Sequence, residues 1–107
     1  MRQAKVYNKD IYAGIIAEYE GGYTFEYDRE YLLNESAEAI SLTLPLRDAK
    51  YQNSVLFPFF DGLIPEGWLL EIAYASWKID RRDRFSLLLA CCRDCIGSVS
   101  IIPIDAV

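Results

Sequence analysis

Residues Leu56 to Trp68 read LFPFFDGLIPEGW, with three Phe, two Pro and two Gly ahead of the final Trp. The segment is too apolar for a solvated loop, and Pro and Gly interrupt it too often for one regular helix or strand. Such a sequence predicts a defined, mostly buried path that carries little polar chemistry. It therefore indicates packing and recognition rather than catalysis.

The whole chain has the size and composition of one folded domain spanning residues 1–107. It is 52% hydrophobic and 14% aromatic, which is enough for a core without disulfides or metals. The net charge of −5 disfavours direct contact with nucleic acid or anionic membranes, because both require basic surfaces. The start, Met1 to Asn8, lacks the apolar run of a signal peptide, and no stretch is apolar enough to span a membrane. We therefore expect a cytoplasmic protein whose partner is another protein.

Hydrophobic patterning in the first third predicts an antiparallel meander. Val6–Tyr7 and Ile11–Ile16 flank the turn residues 8–10, and a second turn at residues 20–22 precedes a third run. From Tyr23 to Tyr27 aromatic residues alternate with polar ones, so one face of this strand is predicted to be buried.

The following segment predicts one more strand and a loop. Apolar residues alternate from Ala39 to Leu44, which predicts a strand with Ile40, Leu42 and Leu44 facing inward. Residues 46–54 are polar and are predicted to form a loop.

Helix signals dominate the second half. After a single helical turn capped by Asp28, three short helices are predicted, over residues 54–60, 65–77 and 84–92. Ser54 and Asp83 are the N-caps expected for the first and third of these, Pro65 begins the second, and Gly62 ends the first. A last strand over residues 98–102 closes at Pro103. The predicted fold class is α+β, with a small antiparallel sheet, made of the meander and the C-terminal strand, packed with about three short helices.

Candidates for catalysis are few. The chain contains no His, which removes the commonest general base and every Ser-His or Cys-His pair. Asp61 and Glu66 straddle a turn and could converge, but a helix end and a first helical turn give each carboxylate a simple structural role. Arg81, Arg82 and Arg84 are interleaved with acidic residues, which favours a solvated surface over a phosphate site. We expect no enzyme activity.

The three cysteines, Cys91, Cys92 and Cys95, form a compact sulfur cluster in the sequence. A Cys-x-x-Cys spacing is present, but at the end of a predicted helix, where the dipole disfavours a thiolate. Three sulfurs without His are too few for a closed zinc site, and their odd number argues against a disulfide framework. We expect buried reduced thiols and neither metal nor cofactor, with a thiol or metal function as the weaker alternative.

Several segments resemble the N-terminal region of HipA-type toxins. Residues 40–47, ISLTLPLR, resemble the family's SLSLPLR, and residues 57–67 are similar to its FPFFDGLLPEG. Residues 85–88 and 93–99 resemble its FxLL and GRDCxGAV segments. In that family the region is a small N-terminal α/β subdomain ahead of a Ser/Thr kinase, which the DNA-binding antitoxin HipB restrains. The resemblance covers nearly the whole chain, and its motifs keep their order and spacing.

The resemblance does not carry kinase activity to this sequence, since no ATP-binding loop, catalytic Asp or Mg²⁺ motif follows the last strand. A separate protein of this kind resembles HipS of the three-gene HipBST systems, where the small protein is the antitoxin of the kinase HipT. Two departures from the family pattern are Cys91-Cys92 ahead of the last motif and Trp68, at a position that is often polar.

The resemblance and Trp68 together predict a partner-binding segment. Trp68 follows a Gly-containing turn, where a large amphipathic side chain is typical of an interface hot spot. The alternative is that Trp68 closes the core against a nearby Phe. The residues expected to contact the partner are Ile64, Pro65, Glu66, Gly67 and Trp68.

The expected partner is a HipT- or HipA-like kinase, with a HipB-like DNA-binding protein as a candidate third member of the complex. The predicted effect on the kinase is inhibition. The alternative is a structural subunit of a split kinase, needed for the toxin's activity.

Overall fold

The computed structural model describes residues 2–64, 83–92 and 98–104. Its sheet contains strands β1 Arg2–Asn8, β2 Ile11–Tyr19, β3 Gly22–Tyr27, β4 Tyr51–Asn53 and β5 Val99–Ile104. Its helices are α1 Arg29–Leu33, α2 Pro58–Asp61 and α3 Arg84–Cys91. The strand order is β4-β3-β2-β1-β5, and every neighbouring pair is antiparallel. The predicted α+β class, with its meander and its C-terminal strand, is confirmed.

A two-residue turn at Lys9 and Asp10 joins β1 to β2. Both residues have left-handed backbones, with φ of 52° and 66°. Left-handed turn residues match the right-handed twist of the two flanking strands, which is why such turns join hairpins. The predicted turn over residues 8–10 is confirmed, although neither central residue is the Gly or Asn that usually favours it.

The core lies between the inner face of the sheet and the helices. Phe25 and Tyr27 are buried on this face and Glu26 is exposed on the other, as the alternation predicts. Phe25 is central, because its ring centroid lies 5.4 Å from that of Phe60 in α2 and 4.9 Å from that of Tyr27. On α3, Phe85 is fully buried in the same cluster.

The prediction of a strand from Ala39 to Leu44 is wrong. The chain forms a turn from Ser41 to Leu44, in which the Leu44 N–H donates to the Ser41 carbonyl at 3.1 Å. The Ser41 hydroxyl also accepts from the Thr43 N–H at 3.2 Å, and such local side-chain bonds favour turns over extended backbone. Ile40 and Leu44 are buried as predicted, but the reversal points Leu42 outward, with 99% of its surface exposed.

The predicted loop over residues 46–54 contains the short strand β4. Its three residues pair with residues 23–25 of β3, and the Tyr51 ring packs 6.5 Å from that of Phe25. A three-residue edge strand is too short to show an alternation in the sequence, so only its pairing with β3 reveals it.

The helix ends differ from the prediction in one case and agree in two. Ser54 does not cap α2, which begins at Pro58 after Phe57, because Pro fits the first helical position, where its missing N–H is not needed. Gly62 ends α2, as predicted. Asp83 caps α3, where its carboxylate accepts from the Ser86 N–H at 3.1 Å.

Two further elements were predicted in the second half, a helix over residues 65–77 and a strand over residues 98–102. The helix predicted over residues 65–77 lies outside the described residues. The strand β5 continues through Pro103 to Ile104, past the predicted end. A proline is tolerated there because β5 is an edge strand, so one row of its N–H groups has no strand to pair with.

Candidate partner-binding site

The predicted partner-binding segment meets the described fold at Ile64. Ile64 is 3% exposed, and its N–H donates to the Asp61 carbonyl at 3.2 Å. Pro65, Glu66, Gly67 and Trp68 lie outside the described residues. The fold thus gives the Ile64 side chain an anchoring position in the core, and the contact of the segment with a partner stays a prediction.

The residues just before that segment form part of the core. Leu56, Phe57 and Phe60 are buried, and Phe59 packs against this cluster with its ring 5.2 Å from that of Phe60. Pro58 occupies the first position of α2. The interpretation of Leu56 to Leu63 as packing core agrees with the structure at its apolar positions, since Leu63 also packs against the cluster.

An ion pair joins α2 to α3 on either side of residues 65–82. The Arg84 guanidinium donates from Nε to Asp61 Oδ1 at 2.6 Å, and the Cys92 thiol contacts the Leu63 carbonyl at 3.4 Å. The chain therefore enters and leaves residues 65–82 at one place, beside the contact between the two helices. Asp61 has the structural role expected from the sequence, and its postulated carboxylate partner Glu66 lies outside the described residues.

Arg2 holds the beginning of α3 against the sheet. Its Nε donates to Glu18 Oε1 at 2.7 Å, and its Nη2 donates to Asp83 Oδ1 at 2.9 Å. The guanidinium also lies 5.3 Å from the centre of the Phe85 ring. A further bond joins the guanidinium to the hydroxyl of Ser86. Asp83 follows residues 65–82 directly, so Arg2 anchors the far flank of the predicted segment.

The electrostatics of this network favour its charged form. Partial burial acts to raise the pKa of Asp83, but hydrogen bonds from Arg2 and Ser86 outweigh burial, and the pKa lies below its ordinary value. Hydrogen bonds to Glu18 and Asp83 raise the pKa of Arg2. Burial, followed by the nearby Glu18 carboxylate, raises the pKa of Tyr23.

Arg2 escaped the sequence reasoning because 81 positions separate it from Asp83. The available signal was the two-residue alternation of β1, which places Arg2 on the same inward face as Ala4 and Val6. A charged residue in that register needs an ionic or hydrogen-bonding partner.

Tyrosine hydroxyls fasten the segment between α1 and β4 to the sheet and to α1. The Tyr27 hydroxyl accepts from the Ile40 N–H at 3.1 Å and donates to the Leu44 carbonyl. The Tyr31 hydroxyl donates to the Glu38 carbonyl at 2.6 Å. These bonds satisfy backbone groups that have no strand or helix to bond to, so an irregular segment acquires a fixed path.

The thiols and the basic cluster are described only in part. Cys92 is a buried thiol, as predicted, while Cys95, Arg81 and Arg82 lie outside the described residues and nothing is described of the Cys91 side chain. Within residues 2–64, 83–92 and 98–104, no group of three or more Cys, Asp and Glu could hold a metal ion. No helix in the same ranges is both long and apolar enough to cross a membrane.

Comparison with known proteins identifies the family. The sequence model of the HipA N-terminal domain matches residues 4–102. An uncharacterised protein of Haemophilus influenzae is 31% identical over 101 residues, which cover 94% of this chain and 92% of that protein. The chain belongs to the HipA N-terminal domain family, and the resemblance seen in its motifs is confirmed. This places the chain in the setting of toxin–antitoxin systems.

Two solved structures share the fold. One is described as the N-terminal domain of HipA toxin; it superposes with a TM-score of 0.77 at 27% identity and covers 100% of this chain and 96% of that one. The other is HipA of Shewanella oneidensis, solved with HipB and its operator DNA, with a TM-score of 0.77 at 21% identity. This chain covers 24% of that HipA chain, so the fold corresponds to a minor part of the larger protein.

Proposed function

We propose that this chain is a non-catalytic, antitoxin-like protein that binds and inhibits a HipT- or HipA-like Ser/Thr kinase. The observation that carries the proposal is the extent of the match. The HipA N-terminal domain accounts for residues 4–102, and the Haemophilus influenzae relative is matched over 92% of its own length. That relative therefore consists almost wholly of this domain, which supports a module that acts on a separate partner.

The segment Ile64 to Trp68 is the part of the chain that we propose to reach the kinase, with the buried Ile64 holding its start in the core. Its mechanism would be to block or distort the nucleotide site or the activation loop, with Trp68 as the anchor. Support comes from its described flanks, where Ile64 is buried and the Asp61–Arg84 ion pair fastens α2 to α3. Anchored flanks lower the entropy that a segment loses when it binds a partner. The net charge of −5 suits a basic kinase surface.

The proposal is tested with a purified HipT- or HipA-like kinase. Purified together, the two proteins should form a complex, and the kinase's phosphorylation of its substrate should fall. If no complex forms, or if phosphorylation is undiminished in a complex, inhibition is refuted. Trp68→Ala should weaken binding by more than about 2 kcal/mol if Trp68 is the anchor. A loss of binding free energy below about 0.5 kcal/mol would mean that Trp68 is not the anchor and belongs to the core or to the rim of the interface.

A second candidate is a structural subunit that a split kinase requires for activity. The observation favouring it is that the corresponding domain of Shewanella oneidensis HipA is part of the toxin chain itself. The sign of the effect separates the two candidates, because co-expression with the kinase would raise toxicity under this candidate and lower it under inhibition. Adding a HipB-like protein to the mixture tests whether it joins as a third member.

A further inference from the structure

Leu42 is the most exposed large apolar side chain of the described residues, at 99%. A single exposed leucine is ordinary on a protein surface, so exposure alone carries no inference. Leu42 is distinguished by its position at the tip of the turn from Ser41 to Leu44, which we name the Leu42 turn. Hydrogen bonds within this turn and from the sheet to its base hold its backbone in place.

The Leu42 turn is closed by three internal bonds. The Leu44 N–H donates to the Ser41 carbonyl at 3.1 Å, and the Thr43 N–H donates to the Ser41 hydroxyl at 3.2 Å. The hydroxyls of Ser41 and Thr43 also bond to each other at 2.9 Å. The polar side chains beside Leu42 thus bond within the turn, and the tip that remains is apolar.

The base of the turn is fixed to the sheet. One hydroxyl, that of Tyr27, binds both sides, accepting from the Ile40 N–H at 3.1 Å and donating to the Leu44 carbonyl. The Tyr51 hydroxyl donates to the Pro45 carbonyl at 2.5 Å, just beyond the turn. A partner that receives Leu42 therefore has little backbone to order, which removes one of the main costs of association.

We propose that the Leu42 turn is a second contact surface for the kinase, with Leu42 filling an apolar socket on it. The inference rests on the proposed function and extends it to a surface separate in sequence from Ile64–Trp68. A membrane is a poor occupant, because the chain's net charge of −5 repels anionic lipid. A four-residue turn also offers far less than the roughly 800 Å² per partner of a stable dimer.

The kinase is the occupant that the comparisons favour. In Shewanella oneidensis HipA the matching domain is 24% of the chain, so most of that polypeptide lies beyond it. Domains of one chain commonly share an interface of roughly 600–1,500 Å². An interface of that size needs more than one short segment, and a rigid apolar tip is suited to supply a second contact.

The test compares two Leu→Ser substitutions in otherwise identical chains. Leu42→Ser removes the apolar tip, and Leu33→Ser, at a position 75% exposed on α1, removes a leucine that is not part of the turn. Binding to the purified kinase is measured by calorimetry, and thermal unfolding checks that both variants are folded. We expect Leu42→Ser to raise Kd by about tenfold or more, the value of burying one leucine. Leu33→Ser should change Kd by less than about twofold.

Three outcomes would overturn the inference. If the wild-type chain binds the kinase and Leu42→Ser binds equally well, the Leu42 contact is refuted while the proposed function stands. If Leu33→Ser weakens binding as much as Leu42→Ser, the effect is not specific to the turn and the inference also falls. If the wild-type chain does not bind the kinase but self-associates, and Leu42→Ser abolishes that, the occupant is a second copy and both proposals fall.

Discussion

The guanidinium of Arg2 donates to the carboxylate of Asp83 at 2.9 Å, which ties the first residue of β1 to the N-cap of α3. The same guanidinium binds Glu18 on the neighbouring strand at 2.7 Å. One side chain thereby connects two strands and a helix, at the place where the chain returns from residues 65–82. The Asp61–Arg84 ion pair connects α2 to α3. Charged contacts therefore hold the residues on both sides of the proposed kinase-binding segment.

Replacing Arg2 should destabilise the fold. Arg2→Gln removes the charged bonds to Glu18 and Asp83, and we expect the free energy of unfolding to fall by about 1 kcal/mol, since the network is partly exposed. Urea unfolding followed by tryptophan fluorescence measures the change. Lys50→Gln, at an exposed lysine just before β4, is the charge-matched control and should change it by less than about 0.5 kcal/mol. Equal effects at the two positions would contradict the anchoring role.

The Asp83 carboxylate should make stability depend on pH in acid. Its pKa in the folded chain is lower than the ordinary value of 3.8. Its contribution is therefore complete above the unfolded pKa and is lost as the pH falls through the folded value. Asp83→Asn keeps an N-cap oxygen but removes the titration. Wild type should lose up to about 1 kcal/mol more than this variant between pH 6 and pH 2. Parallel curves across that range would show that Asp83 does not contribute.

Tyr27→Phe should be costly because one hydroxyl serves two backbone groups. Without it, the Ile40 N–H and the Leu44 carbonyl lose a partner in the buried base of the Leu42 turn. A loss of about 1–3 kcal/mol in the free energy of unfolding is expected. Tyr12→Phe, on the outer face of β2 where Tyr12 is partly buried, is the control and should cost under about 0.5 kcal/mol. Hydrogen exchange should also accelerate at the Ile40 amide in Tyr27→Phe, because that N–H donates to the Tyr27 hydroxyl, and unchanged exchange there would count against the hydroxyl's role.

Gly22→Ala should disrupt the start of β3. Gly22 has φ of 149°, and an added Cβ would overlap the Asn53 carbonyl oxygen of β4. Backbone strain and this overlap together should cost more than about 2 kcal/mol. Gly21→Ala is the neighbouring control, because its Cβ would meet the Tyr19 ring at 3.1 Å, and that side chain can move. Thermal unfolding of the two variants should separate them clearly; similar melting temperatures would argue against the close approach of β3 and β4.

Local chemistry made the meander, the α3 cap and the family predictable. Turn residues at 8–10, strict alternation from Tyr23 to Tyr27 and a cap at Asp83 are signals that a few neighbouring residues carry. The turn at Ser41–Leu44 was mistaken for a strand because the apolar spacing of Ile40, Leu42 and Leu44 is the same in both. The turn is favoured by the bond from the Thr43 N–H to the Ser41 hydroxyl and by the bonds of the distant Tyr27 hydroxyl.

The sequence by itself determined the fold class and the family, because alternation, caps and motif order are written in consecutive residues. The segment Leu56 to Leu63, for example, already indicated its burial through its composition. Only the tertiary structure decided which residues fasten α2 and α3, and that Leu42 faces outward. Those outcomes depend on contacts between residues that are far apart in the chain, such as Arg2 and Asp83, and no local pattern encodes which distant partner a side chain will meet.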